Sequence, residues 1–393
     1  MPGPRTTQQN MESIYITEEH TALREQVARF VAKAVEPNGA AWEDQGYVPR
    51  EVLRQMGELG FFGITYPAEF GGSEADALTS LVFAEALSRS TFGGFIVTAL
   101  VHSDMASPHL VNAGSRAQLE KYLPEVISGE RITAVAVTEP DAGSDVAGIR
   151  TRARRDGAEW VLNGAKMFIT NGVHSDLYFV AARTDPDAKG SRGISMFIVE
   201  KGTPGFRVGR ALNKTGWLCS DTAELVFEDC RVPAENLLGE ENAGFYAVMK
   251  NFQRERIVSG AMAVGNALTS LRLTIEYVKS RKAFGGVLFD KQVIRQRLAM
   301  LEAKTHAARQ FLYHCGWLAA QERECVREVS MLKALTGELA NEVVYTCQQF
   351  HGGMGYMRES AIERQARDAR VLAIGGGATE VMLGEVAKRF APD

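Results

Sequence analysis

The stretch from Gly244 to Arg281, GFYAVMKNFQRERIVSGAMAVGNALTSLRLTIEYVKSR, sets the strongest limit on what this chain can become. Its apolar residues recur at intervals of three and four over a span far beyond the usual globular helix. Such a helix hides its apolar stripe only against other long helices, so the end of the chain reads as a bundle of long antiparallel helices. The text upstream is of two other kinds. From about Thr17 to Gly129 shorter helical patterns dominate, as in EEHTALREQVARFVAKAV and SLVFAEALSRS. From Arg131 to about Val232 come short β-rich runs, ITAVAVTE, EWVLNGAKMFITNG, LYFVAART, ISMFIVE and TAELVFEDCRV, separated by Asp, Gly and Pro turns. The order is helix, strand, helix, which predicts an α+β multidomain fold. Its parts are a helical domain (1–129), a mostly antiparallel β domain (130–237) and a four-helix bundle (238–393).

The chain has 393 residues, 45% of them hydrophobic and 23% charged, enough for two or three domains with substantial cores. A net charge of −4 supplies no global field toward nucleic acid or a membrane, so an anionic ligand must be held by local groups. The five cysteines, Cys219, Cys230, Cys315, Cys325 and Cys347, show neither C-x-x-C pairing nor metal-ligand spacing and read as reduced, buried thiols. His351 likewise has no partner at ligand spacing, and no metal is expected. The opening MPGPRTTQQNMESIY lacks the pattern of a signal or transit peptide, and no later run suits a membrane span, so the expectation is a soluble, unprocessed, cytoplasmic protein. No G-x-G-x-x-G follows a strand, which leaves a Rossmann dinucleotide site without support.

One motif stands apart: LAIGGGATEVML, with Gly375, Gly376 and Gly377 in a row. Three glycines let a backbone pass close to a ligand, and they also suit a plain connector between helices.

At VAVTEPDAGSDVAGIRT, NGAKMFITNG, LLGEENAGF, RKAFG and QQFHGGMGYM, in this order over essentially the whole chain, the sequence closely resembles the acyl-CoA dehydrogenase family of flavoproteins. The resemblance implies a subunit of helical, β and helical domains binding FAD between the β domain and the bundle. It also implies a homotetramer in which a neighbouring subunit completes each flavin site. The residues it places at the cofactor are Val135, Val137, Thr138, Gly143, Ser144, Phe168, Ile169 and Thr170 near the flavin, with Ser144 also near substrate. Arg281, Phe284 and Gln292 would reach the pyrophosphate and adenosine part across the subunit boundary, and Gln349, Gly352 and Gly353 would cradle it. Ala378 and Glu380 would contact the flavin from the carboxy-terminal side. Phe168 stands where many relatives carry Trp. Without the family, TEPDAGSD is a polar turn, Phe168 a core aromatic, and Arg281 with Lys282 a solvated helix end.

The implied reaction removes the pro-R α-proton of an acyl-CoA thioester and transfers a β-hydride to flavin N5, giving the trans-2-enoyl-CoA. It needs a carboxylate base at the α-carbon. Many relatives carry that Glu at the position of Gly376, where this chain has none. The long-chain and isovaleryl types instead place it on the first long helix, at a Glu preceding an Arg, which here are Glu255 and Arg256. The helix supports this without the family: Phe245, Val248, Met249 and Phe252 form a stripe whose continuation in steps of three and four reaches Glu255, Arg256 and Ser259. A charge on an inward stripe is costly unless it is paired or functional, and a buried ion pair is the competing explanation. Gly376 N–H would donate to the thioester carbonyl, and Arg256 would position that end of the site or contact CoA.

Gly375 stands where several relatives have Tyr, and Gly93 and Gly94 lie in the region whose relatives line the acyl pocket. Less bulk suggests a medium-to-long or methyl-branched acyl-CoA, including citronellyl-type chains. An electron-transfer flavoprotein is the acceptor the family implies. An acyl-CoA oxidase-like flavoenzyme and a flavin-bearing, nucleic-acid-binding relative are the alternatives, and the acidic balance disfavours the second.

Overall fold

A computed structural model describes residues 13–188 and 190–390, so most of the amino-terminal stretch in which no leader was read lies outside the described residues. Seven helices come first: α1 (Glu18–Phe30), α2 (Gly39–Gln45), α3 (Arg50–Glu58), α4 (Ala77–Leu87), α5 (Gly93–Leu100), α6 (Ser107–Ala113) and α7 (Arg116–Ile127). Thr17 starts α1 with a capping box, its hydroxyl accepting from His20 N while the His20 ring accepts from Thr17 N. Ser115 and Gln118 cap α7 in the same reciprocal way. α4 is buried on nearly every side, and it packs against α1 and two helices of the bundle.

Eight strands follow: β1 (Thr133–Ala136), β2 (Arg152–Asp156), β3 (Glu159–Thr170), β4 (Leu177–Arg183), β5 (Ile194–Glu200), β6 (Phe206–Ala211), β7 (Thr222–Pro233) and β8 (Leu237–Leu238). They form one sheet in the order β6-β7-β3-β2-β4-β5-β8, largely antiparallel, with β1 laid parallel against β4. β4 and β5 are buried on both faces, which accounts for their unbroken apolar runs. Tyr178, Val180, Phe197 and Val199 join the sheet's own core, whereas Leu177, Phe179, Met196 and Ile198 join the helical core. The alternation of side chains along these two strands therefore welds the sheet to the helices.

The bundle contains α8 (Gly244–Ser280), a hairpin of β9 (Lys282–Ala283) and β10 (Gly286–Val287), then α9 (Gln292–Ala320), α10 (Val326–His351), α11 (Ala361–Ala369) and α12 (Thr379–Ala387). α8 has 37 residues, and from Ile257 to Leu271 nearly all are buried against α4, α9 and α10. Small residues let it come close: a methyl group added at Gly265 would lie 2.4 Å from the Ser88 β-carbon. All five cysteines are buried and free. No described helix is long and apolar enough to cross a membrane.

One expectation fails here. Gly93 and Gly94 do not open an acyl pocket: added methyl groups would meet Asp368 and Trp217 at Gly93, and Cys219 Sγ at 2.7 Å at Gly94. The space is filled by the loop between β6 and β7. Asp368 on α11 holds that arrangement, accepting from Gly93 N at 3.1 Å and Trp217 N at 2.6 Å.

Gly94→Ala is expected to destabilise the protein by about 1–3 kcal/mol, because two of the atoms it would strike are backbone nitrogens. Gly384→Ala, in α12 with nothing within 4 Å, should stabilise by about 0.5–1 kcal/mol. Thermal or urea unfolding of the two variants reads both signs.

Candidate active site

The first third of α8 is pinned by polar contacts on either side of one exception. Asn251 accepts from Asn112 of α6 at 2.7 Å. Arg254 donates to Thr65 at 2.9 Å, Ser80 at 3.1 Å and the buried Asp104 at 2.8 Å. Val248 is buried, and Phe245, Met249 and Phe252 pack against the core, as their spacing requires. Glu255 follows on that stripe and is 8% exposed. Its Oε1 is buried without a hydrogen-bond partner, as is the Nε of Arg256. Among the described residues no ion pair involves Glu255. Orphaned buried carboxylate oxygens are rare, and this one sits one residue from a fully satisfied arginine. Burial pushes the Glu255 carboxyl up to about 8, with Arg256 opposing the shift. Burial also lowers the Arg256 guanidinium, against the pull of Glu255 and Glu385.

The triple glycine forms the turn from Ile374 into α12 and lies against this part of α8. Gly376 (φ +64) and Gly377 (φ +105) occupy left-handed backbone that favours glycine. A methyl group at Gly376 would meet Ser259 Oγ at 3.3 Å, and one at Gly377 would come within 3.7 Å of Arg256 Nε. Ser259 is one helical turn beyond Glu255 on the same face. A side chain at Gly376 would thus start from the turn toward the face of α8 that carries Glu255. Gly375 differs from its neighbours. An added methyl there meets only Val371, at 3.5 Å, so neither φ nor contact demands glycine at that position.

A second constellation forms where β1 and the end of β3 meet. Met167 N donates to Thr138 O at 2.9 Å, which sets Val135, Val137 and Thr138 beside Phe168, Ile169 and Thr170. Lys166 and Glu139, in motifs already noted but given no role there, form a buried pair at 2.7 Å. Glu139 also accepts from the backbone N–H groups of Arg150 and Thr151, so the loop bearing Gly143 and Ser144 is tied at both ends. Burial raises the Glu139 carboxyl, but Lys166 and these donors outweigh it and leave it below the usual carboxylate range. Phe168 is not the core aromatic its strand would suggest. The register of β3 breaks between Lys166 and Ile169, and Phe168 takes φ +61 and is 67% exposed. A strained backbone that holds an aromatic ring outward suits a surface for a flat ligand. Gly143 adds open space beside it, with nothing within 4 Å of a would-be methyl group.

The third group lies at the other end of α8. Arg281 follows its last turn, and the hairpin tip presents Phe284 at φ +53 and 88% exposed. Gln292 opens α9 and is exposed. Gln349, Gly352 and Gly353 end α10 in exposed backbone, Gly352 with φ +58. The Tyr277 and His351 rings stack at 4.2 Å and lock the two helix ends together. From Glu255 to Arg281 the helix rises about 39 Å. The structure therefore gathers the predicted cofactor residues into separate groups, and the group at Arg281 lies that distance along α8 from Glu255. Ala378 caps α12 and Glu380 is exposed in its first turn, beside the glycine turn.

A helical, β and helical chain with a buried, unpartnered carboxylate on the helix face beside a glycine turn, and an aromatic held outward at the end of β3, has the makings of a flavin-dependent carbon-acid oxidoreductase. The chain matches acyl-CoA dehydrogenase in three consecutive parts: the N-terminal domain at residues 17–130, the middle domain at 134–230 and the C-terminal domain at 242–391. It is 42% identical over 378 residues to the mitochondrial long-chain specific acyl-CoA dehydrogenase of Mus musculus, covering 95% of this chain and 87% of that protein. With mitochondrial isovaleryl-CoA dehydrogenase of Pongo abelii it shares 37% over 382 residues, covering 96% and 90%. The crystal structure of an acyl-CoA dehydrogenase from Geobacillus kaustophilus superposes with a TM-score of 0.93 at 41% identity, over 97% of this chain and all of that one. The chain belongs to the acyl-CoA dehydrogenase family. It is an FAD flavoenzyme, an oxidoreductase that dehydrogenates acyl-CoA.

Because the native protein holds a proton on Glu255 that the unfolded chain releases at lower pH, stability falls as pH rises from the usual carboxylate range toward about 8. Glu255→Gln removes that penalty. Its gain in Tm over wild type should be larger at pH 8 than at pH 5, and an equal gain at both would show that Glu255 titrates normally.

Proposed function

We propose that this enzyme oxidises medium-to-long-chain or methyl-branched acyl-CoA thioesters to trans-2-enoyl-CoA, with Glu255 as the base. The observation that carries the reading is the buried, unpartnered Glu255 carboxylate on the face of α8 toward which a side chain at Gly376 would point. A base reaching in from the helix and one reaching in from the turn would address the same space. This chain, having no carboxylate in the turn, uses the helix.

Bound FAD supplies the hydride acceptor. Phe168, Ile169, Thr170, Thr138, Gly143 and Ser144 would hold its ring, with Val135, Val137, Ala378 and Glu380 around them. Arg281 offers a fork of N–H donors to the pyrophosphate, with Phe284, Gln292, Gln349, Gly352 and Gly353 about the adenosine part. The distance along α8 supports assigning this second set to the flavin of a neighbouring subunit, and hence a homotetramer. Phe284, exposed at the hairpin tip, is the group that would enter the neighbour.

Glu255 takes the α-proton in its ionised form. The Gly376 N–H donates to the thioester oxygen and stabilises the negative charge that develops there. Arg256 keeps positive charge beside the base, and its partly buried guanidinium is free to meet the CoA end of the substrate. Gly375 leaves room that a bulky side chain would take, which supports the longer or branched chains, as does the likeness to long-chain and isovaleryl relatives. Electrons would pass to an electron-transfer flavoprotein, placing the enzyme in β-oxidation or branched-chain breakdown.

Anaerobic bleaching of the flavin by a panel of acyl-CoAs tests this. Wild type should reduce fastest with long or branched thioesters, and Glu255→Gln should slow the step by about a thousandfold or more while retaining FAD. A variant as fast as wild type would make Glu255 structural. Because burial holds Glu255 protonated until about pH 8, kcat/KM should rise with pH up to that value and then level. Gly375→Tyr should move the kcat/KM optimum toward shorter chains, and an unchanged optimum would remove Gly375 from the acyl pocket.

A further inference from the structure

Lys333, on α10, is 1% exposed, yet its ammonium donates to no carboxylate among the described residues. Its two partners are backbone carbonyls, Leu372 O at 2.7 Å and Gly377 O at 2.9 Å. Those two residues bracket the glycine turn. A buried lysine ordinarily keeps an acid beside it, as Lys166 keeps Glu139, so spending one on two neutral carbonyls asks for a reason. The nearby charge makes the placement still less favourable. Burial and the Arg256 guanidinium both push the Lys333 ammonium down, to about 8, with Glu338 alone opposing them. Its ε-carbon would lie 3.9 Å from a methyl group at Gly376.

The turn needs such a brace. Gly375 N and Ile374 N bond back to Val371 O, and Thr379 Oγ1 reaches Ala373 O. Gly376 N–H donates to no acceptor among the described residues. Two consecutive glycines at positive φ have wide conformational freedom, and nothing in their own side chains can hold that N–H in one direction. The carbonyls of Leu372, ahead of the glycines, and of Gly377, the last of them, are handles on the turn, and Lys333 holds both.

We propose that Lys333 is a positioning residue for the dehydrogenation: by bridging Leu372 O and Gly377 O it fixes the glycine turn with the Gly376 N–H directed at the thioester oxygen. The proposal rests on the reading that this turn faces the thioester, and it does not need Glu255 to be the base. Lys333 touches neither substrate nor flavin in this role and acts through the backbone.

The test uses the FAD-loaded enzyme and a chromophoric enoyl thioester, dimethylaminocinnamoyl-CoA, whose absorption moves to the red when its carbonyl is polarised. Wild type and Glu255→Gln should both show the red shift on binding, since neither the probe nor its polarisation requires a base. Lys333→Met should keep its FAD and bind the probe with a clearly smaller shift. Its flavin reduction by acyl-CoA should be about ten- to a hundredfold slower at saturation, with KM changed far less than kcat. A cross-brace serving stability alone would lower Tm and leave the shift of the bound probe intact, and that result overturns the proposal. If Lys333→Met loses its flavin, Lys333→Gln replaces it. Its amide is one methylene too short to bridge both carbonyls, and the same two outcomes decide. No red shift in wild type would instead remove the turn from the thioester and take this proposal with it.

Discussion

The burial of α8 is the constraint on which the rest depends. A 37-residue helix cannot be hidden by its own bundle alone, so its middle turns are covered by α4 of the first domain as well as by α9 and α10. That sharing makes the two helical domains one apolar core, with β4 and β5 contributing one face of the sheet to it. Because α8 is held along its whole length, the groups at its two ends are set at a known separation. The candidate base lies in the first third and the hairpin proposed to meet the nucleotide follows the last turn, about 39 Å from Glu255 to Arg281.

Against this rigid frame the charges divide into two kinds. Glu85 is buried with Arg309 at 2.9 Å, Arg24 at 3.2 Å and a Tyr313 hydroxyl, and Arg254 and Glu139 are satisfied with similar care. Buried charge of that kind stabilises only because each partner is present. Glu255, Arg256 and Lys333 form the other kind, one carboxylate and two cations close together, whose hydrogen bonds are missing or run to neutral carbonyls. Other buried polar atoms also lack partners, but in this cluster the orphaned atoms belong to charged groups gathered beside the glycine turn.

The glycines teach the same lesson about reading function from residue type. Gly93 and Gly94 suggest an open pocket on paper, but each is small because a neighbouring backbone or ring already fills the space. Gly376 and Gly377 are required by their φ angles, whereas Gly375 is required by neither φ nor contact. Three adjacent identical letters thus have two different explanations. Only the last is evidence of room left for a ligand.

Much was legible from the letters. Hydrophobic periodicity marks the long helices and the apolar strands, because burial of a regular element imposes its own repeat on the sequence. It also carried Glu255 onto the inward stripe. β2 and β6 escaped notice, since RARRD and FRVGRA bear charges on the residues that face water, and strands of this kind are recognised by their partners rather than by composition. The β context of Phe168 by itself argued for a core aromatic, and only the family motif argued otherwise; its outward ring depends on a register break that arises only when β3 is zipped to β7. Lys333 carried no signal at all, because what sets it apart is its contact with two carbonyls 39 and 44 residues away in sequence. The sequence by itself determined the order of the domains, the family and the inward-facing place of Glu255 on its helix, all of which follow from local pattern. The tertiary structure alone decided which buried charges found partners and which did not, because satisfaction of a charge is a property of the groups that packing brings beside it.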